Sequence, residues 1–177
     1  MIPRQVFVKC VDTISDLFMP AQPQPGEKAP EFDLPVVGGE YGDNATVSLS
    51  SLRGSKVVLY FYPKDDTPGC TTQACGIRDT WGELSAKAKV FGVSIDSVKK
   101  HGKFISKYEL PFPLISDEEK ALVEAYGVWV EKQMYGKTYM GTERTTFVID
   151  EKGVVTAVFT KVKPADHVDL ILEGLTG

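Results

Sequence analysis

The run Val57-Val58-Leu59-Tyr60-Phe61-Tyr62 is an unbroken stretch of apolar and aromatic residues. A strand with one wet face would alternate polar and apolar residues. A continuous run reads instead as a strand buried on both faces, as at the centre of a parallel sheet. Lys89 to Ile95 reads as a second such strand. Around them the chain predicts a hairpin from Val36–Tyr41 and Thr46–Leu49, turned by glycines and Gly42-Asp43-Asn44. It predicts helices after Cys70 to about Lys87, over Ser97–Tyr108 and over Asp117–Tyr126, the last capped by Ser116 or Asp117. Pro111 to Ile115 reads as extended. Thr145–Asp150 and Val154–Thr160 form a second hairpin across Glu151-Lys152-Gly153, and Pro164 opens a final helix over Ala165–Leu172. Strand, helix, strand, helix, hairpin and helix in that order make an α/β protein: a mixed sheet with helices on both faces.

With 177 residues the chain suits one domain and a tail. Ile2, Val6, Phe7, Cys10, Val11, Ile14, Leu17 and Phe18 recur at helical spacing and predict a short amphipathic helix. A proline-rich connector, Pro20 to Gly26, follows it. Residues 1–25 therefore read as an extension and residues 26–177 as the domain. A net charge of −4 supplies no basic face for nucleic acid. No run approaches the roughly 18 apolar residues of a membrane span. Lys9, Asp12 and Asp16 interrupt the apolar residues a secretory signal would need, and the tail lacks the arginine and serine richness of a transit peptide. Three cysteines, Cys10, Cys70 and Cys75, are not a secreted disulfide framework. They fit a reducing compartment, and the expected location is cytoplasmic. With only His101 and His167 besides, both remote from the cysteines in sequence, a four-ligand zinc site is not expected.

The chemistry concentrates in Tyr62-Pro63-Lys64-Asp65-Asp66-Thr67-Pro68-Gly69-Cys70. A buried strand ends, a loop turns and Cys70 opens a helix. Ligands bind at the carboxyl ends of strands in open α/β sheets. A helix N-terminus offers free N–H groups and the positive end of its dipole, which favour a thiolate over a thiol. Gly69 allows close approach of a small ligand, and Pro63 and Pro68 stiffen the loop. The Thr67 hydroxyl can both donate and accept, which suits a peroxide. Cys75 lies five residues beyond Cys70. On a regular helix that is about 7.5 Å of rise and about 500° of rotation, or roughly 8.7 Å between Cα atoms. A disulfide needs about 7 Å or less. Either Cys75 is a core residue or the helix unwinds during turnover, and Thr71, Thr72 and Gly76 are weak helix formers that permit it.

Pro63 through Cys70 matches the peroxiredoxin motif Pro-x-x-x-Thr-x-x-Cys. The stretch to Cys75 resembles the peroxiredoxin Q / bacterioferritin comigratory protein subfamily. Phe112 to Asp117, Ala125 to Trp129 and Arg144 to Asp150 agree with it, and the resemblance spans roughly Glu27 to Leu175. It implies a thioredoxin-like fold with an N-terminal β-hairpin addition, and needs neither metal nor organic cofactor. It implies that Cys70 is the peroxidatic cysteine and becomes a sulfenic acid on attacking a peroxide. Cys75 would resolve it as an intramolecular disulfide, which thioredoxin or a glutaredoxin-like reductant would reduce. Pro63 would shield the thiolate, and Thr67 and the N–H groups of Gly69 and Cys70 would hold the peroxide. Arg144, a surface residue on pattern alone, would stabilise thiolate and peroxide charge. The subfamily likeness favours a monomer.

Two other function classes stay open at this level. A general thiol–disulfide oxidoreductase would share the sheet, although its cysteines are usually spaced C-x-x-C. A redox-regulated binding protein would use the tail and Cys10, which otherwise reads as a small apolar residue on the tail helix. Trp81 and Trp129 read as packing residues.

Overall fold

The computed structural model describes residues 20–176, so the helix expected in the tail, and Cys10 with it, lie outside the described residues. Nine strands and five α-helices follow in the order β1 (Asp33–Val37), β2 (Thr46–Ser48), β3 (Val57–Phe61), α1 (Pro68–Asp79), α2 (Trp81–Lys87), β4 (Lys89–Ser94), α3 (Val98–Tyr108), β5 (Leu114–Ser116), α4 (Ala121–Ala125), β6 (Trp129–Met134), β7 (Lys137–Thr142), β8 (Thr145–Ile149), β9 (Val155–Phe159) and α5 (His167–Leu175). Seven strands make one mixed sheet in the order β2-β1-β5-β4-β3-β8-β9. β3, β4 and β5 are mutually parallel, and the other pairings are antiparallel.

Every residue of β3 is buried, and the pleat deals them alternately to two cores. Val57, Leu59 and Phe61 join Phe91, Phe147, Leu122 and Tyr126 on one face. Val58, Tyr60 and Tyr62 join Cys70, Ala74 and Ile77 of α1, Leu84 of α2, Phe104 of α3 and Ile171 of α5 on the other. Cys70 is thus rooted in a helix–sheet core.

Local departures from the expected elements have identifiable causes. The first hairpin strand is Asp33–Val37 because Gly38 and Gly39 turn the chain at φ 93° and 58°. A Cβ at Gly38 would lie 2.6 Å from Ile105, and one at Gly39 2.8 Å from Pro113. The helix after the loop begins at Pro68, two residues before Cys70, and breaks at Thr80 into α1 and α2. The helix expected over Asp117–Tyr126 shortens to Ala121–Ala125, since Lys120 takes a left-handed φ of 64°. Asp117 still caps it, its carboxylate accepting from the N–H groups of Leu122 (2.9 Å) and Val123 (2.8 Å). Pro164 opens a single 3-10 turn before α5. The hairpin β6–β7 was not expected. Its strands are largely exposed and carry no burial pattern, and Tyr135-Gly136 turns it with positive φ at both residues, the two-residue turn suited to strand twist.

Residues 20–25 lie on the domain. Gln22 donates to Glu143 (3.2 Å), and the chain at Pro20 to Gln22 runs so close over Gly127 that a Cβ there would lie 2.8 Å from Gln22 N.

Candidate active site

The loop from Pro63 to Thr67 links the end of β3 to α1. Pro63 is half-buried, two residues past the end of the strand. Asp65 ties the loop down from beneath. Its N–H donates to Asp96 Oδ2 (2.9 Å), and its carboxylate accepts from Tyr62 Oη (2.6 Å) and meets His101 Nδ1 (2.7 Å). The other ring nitrogen of His101 lies 3.0 Å from Ile115 O. Asp66, at φ 56°, is held by Tyr108 Oη (2.6 Å) and Lys107 Nζ (2.8 Å). The hydrogen bond from Lys107 holds its carboxyl below the usual range. The loop therefore hangs between the end of β4 and α3 by Asp96, His101, Lys107 and Tyr108, with Tyr62 as a fifth hold.

Cys70 is buried in the first turn of α1. Pro68 has no N–H, and the first helical bond is Thr71 N–H to Thr67 O (2.8 Å). The N–H groups of Gly69 and Cys70 precede that bond and keep no helical acceptor. Arg144, between β7 and β8, reaches across so that Nη1 is 3.4 Å from Cys70 Sγ. The guanidinium also packs on Gly69, where a Cβ would stand 2.9 Å from Nη2 and 3.3 Å from Pro164. Only glycine admits the arginine this close. The Thr67 hydroxyl donates to Lys64 O (2.8 Å), which leaves its lone pairs as acceptors. The sulfur thus has a guanidinium beside it, in a first turn that also carries two free N–H donors and the acceptor lone pairs of Thr67.

Arg144 is itself held. Nη1 also donates to Gln73 Oε1. Gln73, one turn beyond Cys70 and fully buried, has its Nε2 3.2 Å from His167 Nδ1. His167 Nε2 lies 2.8 Å from Thr146 Oγ1 on β8. Burial, and secondarily the Arg144 charge, push His167 down to about 3, so it is neutral at physiological pH. None of Gln73, His167 and Thr146 was expected at the site, nor were Asp65, Asp96 and His101. A polar residue one helical turn from a candidate nucleophile was the one available signal, for Gln73. Nothing in sequence joins it to His167.

Cys75 is half-buried on the same unbroken helix as Cys70. At that spacing the Cα atoms sit roughly 8.7 Å apart, beyond the reach of about 7 Å for a disulfide. Trp81 packs on Phe112 (5.8 Å between ring centroids) against the core that holds Cys70, and Lys120 covers Trp129 (5.1 Å). Among the described residues no group of three or more His, Cys, Asp or Glu is arranged to hold a metal. No helix among them is long and apolar enough to cross a membrane.

A model of the AhpC/TSA family matches residues 25–158. The chain is 56% identical over 144 residues to a putative peroxiredoxin Bcp of Coxiella burnetii, covering 81% of this chain and 92% of that one. It is 50% identical over 153 residues to peroxiredoxin Bcp of Bacillus subtilis, covering 85% and 93%. Among solved structures it resembles the bacterioferritin comigratory protein of Xanthomonas campestris, with trapped intermediate and ligand complexes bearing on alkyl peroxide reduction. That likeness has a TM-score of 0.74 at 40% identity, over 82% of this chain and 90% of that one. The mixed sheet with its added hairpin is accordingly thioredoxin-like. At such identity over most of both partners' length, the chain belongs to the AhpC/TSA family and, within it, to the Bcp/PrxQ peroxiredoxins, which are thiol-dependent peroxidases.

Proposed function

We propose that this peroxidase works through Cys70 as the attacking thiolate and Cys75 as the resolving thiol. The observation that carries the reading is the Arg144 guanidinium 3.4 Å from a buried sulfur in the first turn of α1. The thiolate attacks the terminal oxygen of a hydroperoxide, and the O–O bond breaks. The electron pair leaves on the alkoxide (hydroxide from hydrogen peroxide), which takes a proton, and Cys70 becomes a sulfenic acid. Thr67, already donating to Lys64 O, accepts the hydrogen of the attacked O–H. The N–H groups of Gly69 and Cys70 and the arginine stabilise charge on the peroxide oxygens. Pro63 keeps water from the thiolate.

In the second step Cys75 attacks the Cys70 sulfenic sulfur. An S–S bond forms, and the hydroxyl leaves with the thiol proton as water. α1 must unwind between the cysteines for this to occur. Two thiols of a dithiol donor, thioredoxin or a glutaredoxin-like protein, then return both cysteines to thiols by exchange. Hydrogen peroxide and organic hydroperoxides are the substrates, the latter supported by the alkyl peroxide reduction of the Xanthomonas relative. The enzyme is a monomer, its domain starts at residue 26, where main-chain bonding to Val155 begins, and it acts in a reducing compartment such as the cytoplasm.

Intact mass after one equivalent of peroxide tests both steps. The expected product has lost two hydrogens, mapped to Cys70–Cys75. A stable gain of one oxygen in the native chain would remove Cys75 from the mechanism. Peroxide consumption by Cys70→Ser at the native rate would remove Cys70.

A further inference from the structure

The chain of hydrogen bonds behind Arg144 has only one consistent direction. A guanidinium can only donate, so Gln73 must present Oε1 to it. Its amide nitrogen then faces His167 Nδ1 and donates there. Nδ1 is the bare nitrogen, so Nε2 carries the proton and donates to Thr146 Oγ1. Neutral His167 is the one species that can accept at one end and donate at the other, and burial keeps it neutral. Gln73, His167 and Thr146 are all buried, so water does not readily replace a lost partner.

Gln73 also lies between Cys70 and Cys75 on α1. Any unwinding that brings the two sulfurs together carries it away from both Arg144 and His167. We propose that His167, acting through Gln73, is a positioning residue that aims Arg144 at Cys70 and also latches α1 in its folded state. The inference rests on the reading of Cys70 and Cys75 given above. It makes one buried histidine set two rates in opposite senses. With the latch intact, attack on peroxide is fast and opening for Cys75 is restrained. With it cut, attack slows and resolution quickens.

The test is stopped-flow fluorescence with quenched-flow mass spectrometry on the full reduced chain and hydrogen peroxide. The peroxide-dependent phase reports the oxygen adduct, and the peroxide-independent phase reports loss of water to the disulfide. His167→Phe keeps a ring without hydrogen bonds. It is expected to slow the first phase about tenfold through misalignment and to speed the second about tenfold through easier local opening. Thr146→Val leaves His167 Nε2 unpartnered and should move both phases the same way, about threefold. His167→Gln can accept and donate as the histidine does and should restore both to within about threefold. Ile77→Val loosens α1 from its apolar side, and should quicken only the second phase.

Folded His167→Phe with its first phase within twofold of native overturns the positioning role. An unchanged second phase overturns the latch. Should that variant fail to fold, Thr146→Val decides both points by the same criteria. Failure of the underlying reading looks different: no peroxide-dependent phase in the native chain, or a second phase that survives Cys75→Ser.

Discussion

The sulfur of Cys70 owes its setting to groups that are individually ordinary. A first-turn position provides N–H donors, and a single guanidinium provides charge at 3.4 Å. Removing that charge while keeping bulk, in Arg144→Met, should lower the second-order rate with hydrogen peroxide by about 10²-fold. Competition against a second peroxidase of known rate would measure it, and a fall of less than about threefold would show that the helix terminus suffices. His167 makes a separate prediction about stability. Folded, it takes a proton only near pH 3, whereas in the unfolded chain it does so near the ordinary histidine value of 6.5. Below pH 6.5 the unfolded state therefore binds more protons, and folding stability falls as pH drops toward 3. The slope from this residue is about 1.4 kcal/mol per pH unit within the window. Urea denaturation of the native chain and of His167→Gln between pH 4 and 7 would isolate it. Parallel curves would mean that the ring is not held neutral.

At the scale of elements, α1 carries two demands that conflict. Its first turn must be rigid to keep Cys70 under Arg144, and the proposed second step needs the same turn to open. The sheet beneath it has no such freedom. Gly92 on β4 lies against Leu114 and Tyr60, where a Cβ would come within 2.6 Å and 2.8 Å. Tyr60 in turn packs edge-on against His167 at 5.1 Å between ring centroids. Gly92→Ala must displace one of these neighbours, at a cost of about 1–3 kcal/mol. A lowered urea midpoint with slower peroxide reduction is expected. An unaltered midpoint would show that Leu114 yields freely.

At the scale of the molecule, the sheet separates a supporting core from the one that holds Cys70. Phe147 meets Phe61 and Tyr126 at 5.7 and 5.1 Å on the face away from α1. Phe147→Ala should cost about 3–5 kcal/mol, a large part of the roughly 5–15 kcal/mol that holds a domain. The peroxide rate of the fraction still folded should stay near native, because no site contact is lost. A rate that falls with stability would show the two faces to be coupled.

Much of this was legible in the order of residues. The unbroken run at β3 announced a strand covered on both faces, since alternation is lost only where neither face meets water. The Pro63–Thr67–Cys70 spacing announced the candidate site loop, because the pattern is local: a turn, a helix start and a thiol within eight positions. The β6–β7 hairpin left no such trace, its side chains being mostly exposed on both faces. The sequence by itself determined the sheet, the loop and the place of Cys70 at a helix terminus, all properties of short-range pattern. Arg144 was expected beside the sulfur only through the family resemblance, and the tertiary structure alone decided its contact and the Gln73, His167 and Thr146 chain behind it. Arg144 and His167 come from segments 74 and 94 residues from their partners Cys70 and Gln73. Sheet pairing and the docking of α5 bring them in, and hydrogen bonds between side chains so far apart obey no sequence period.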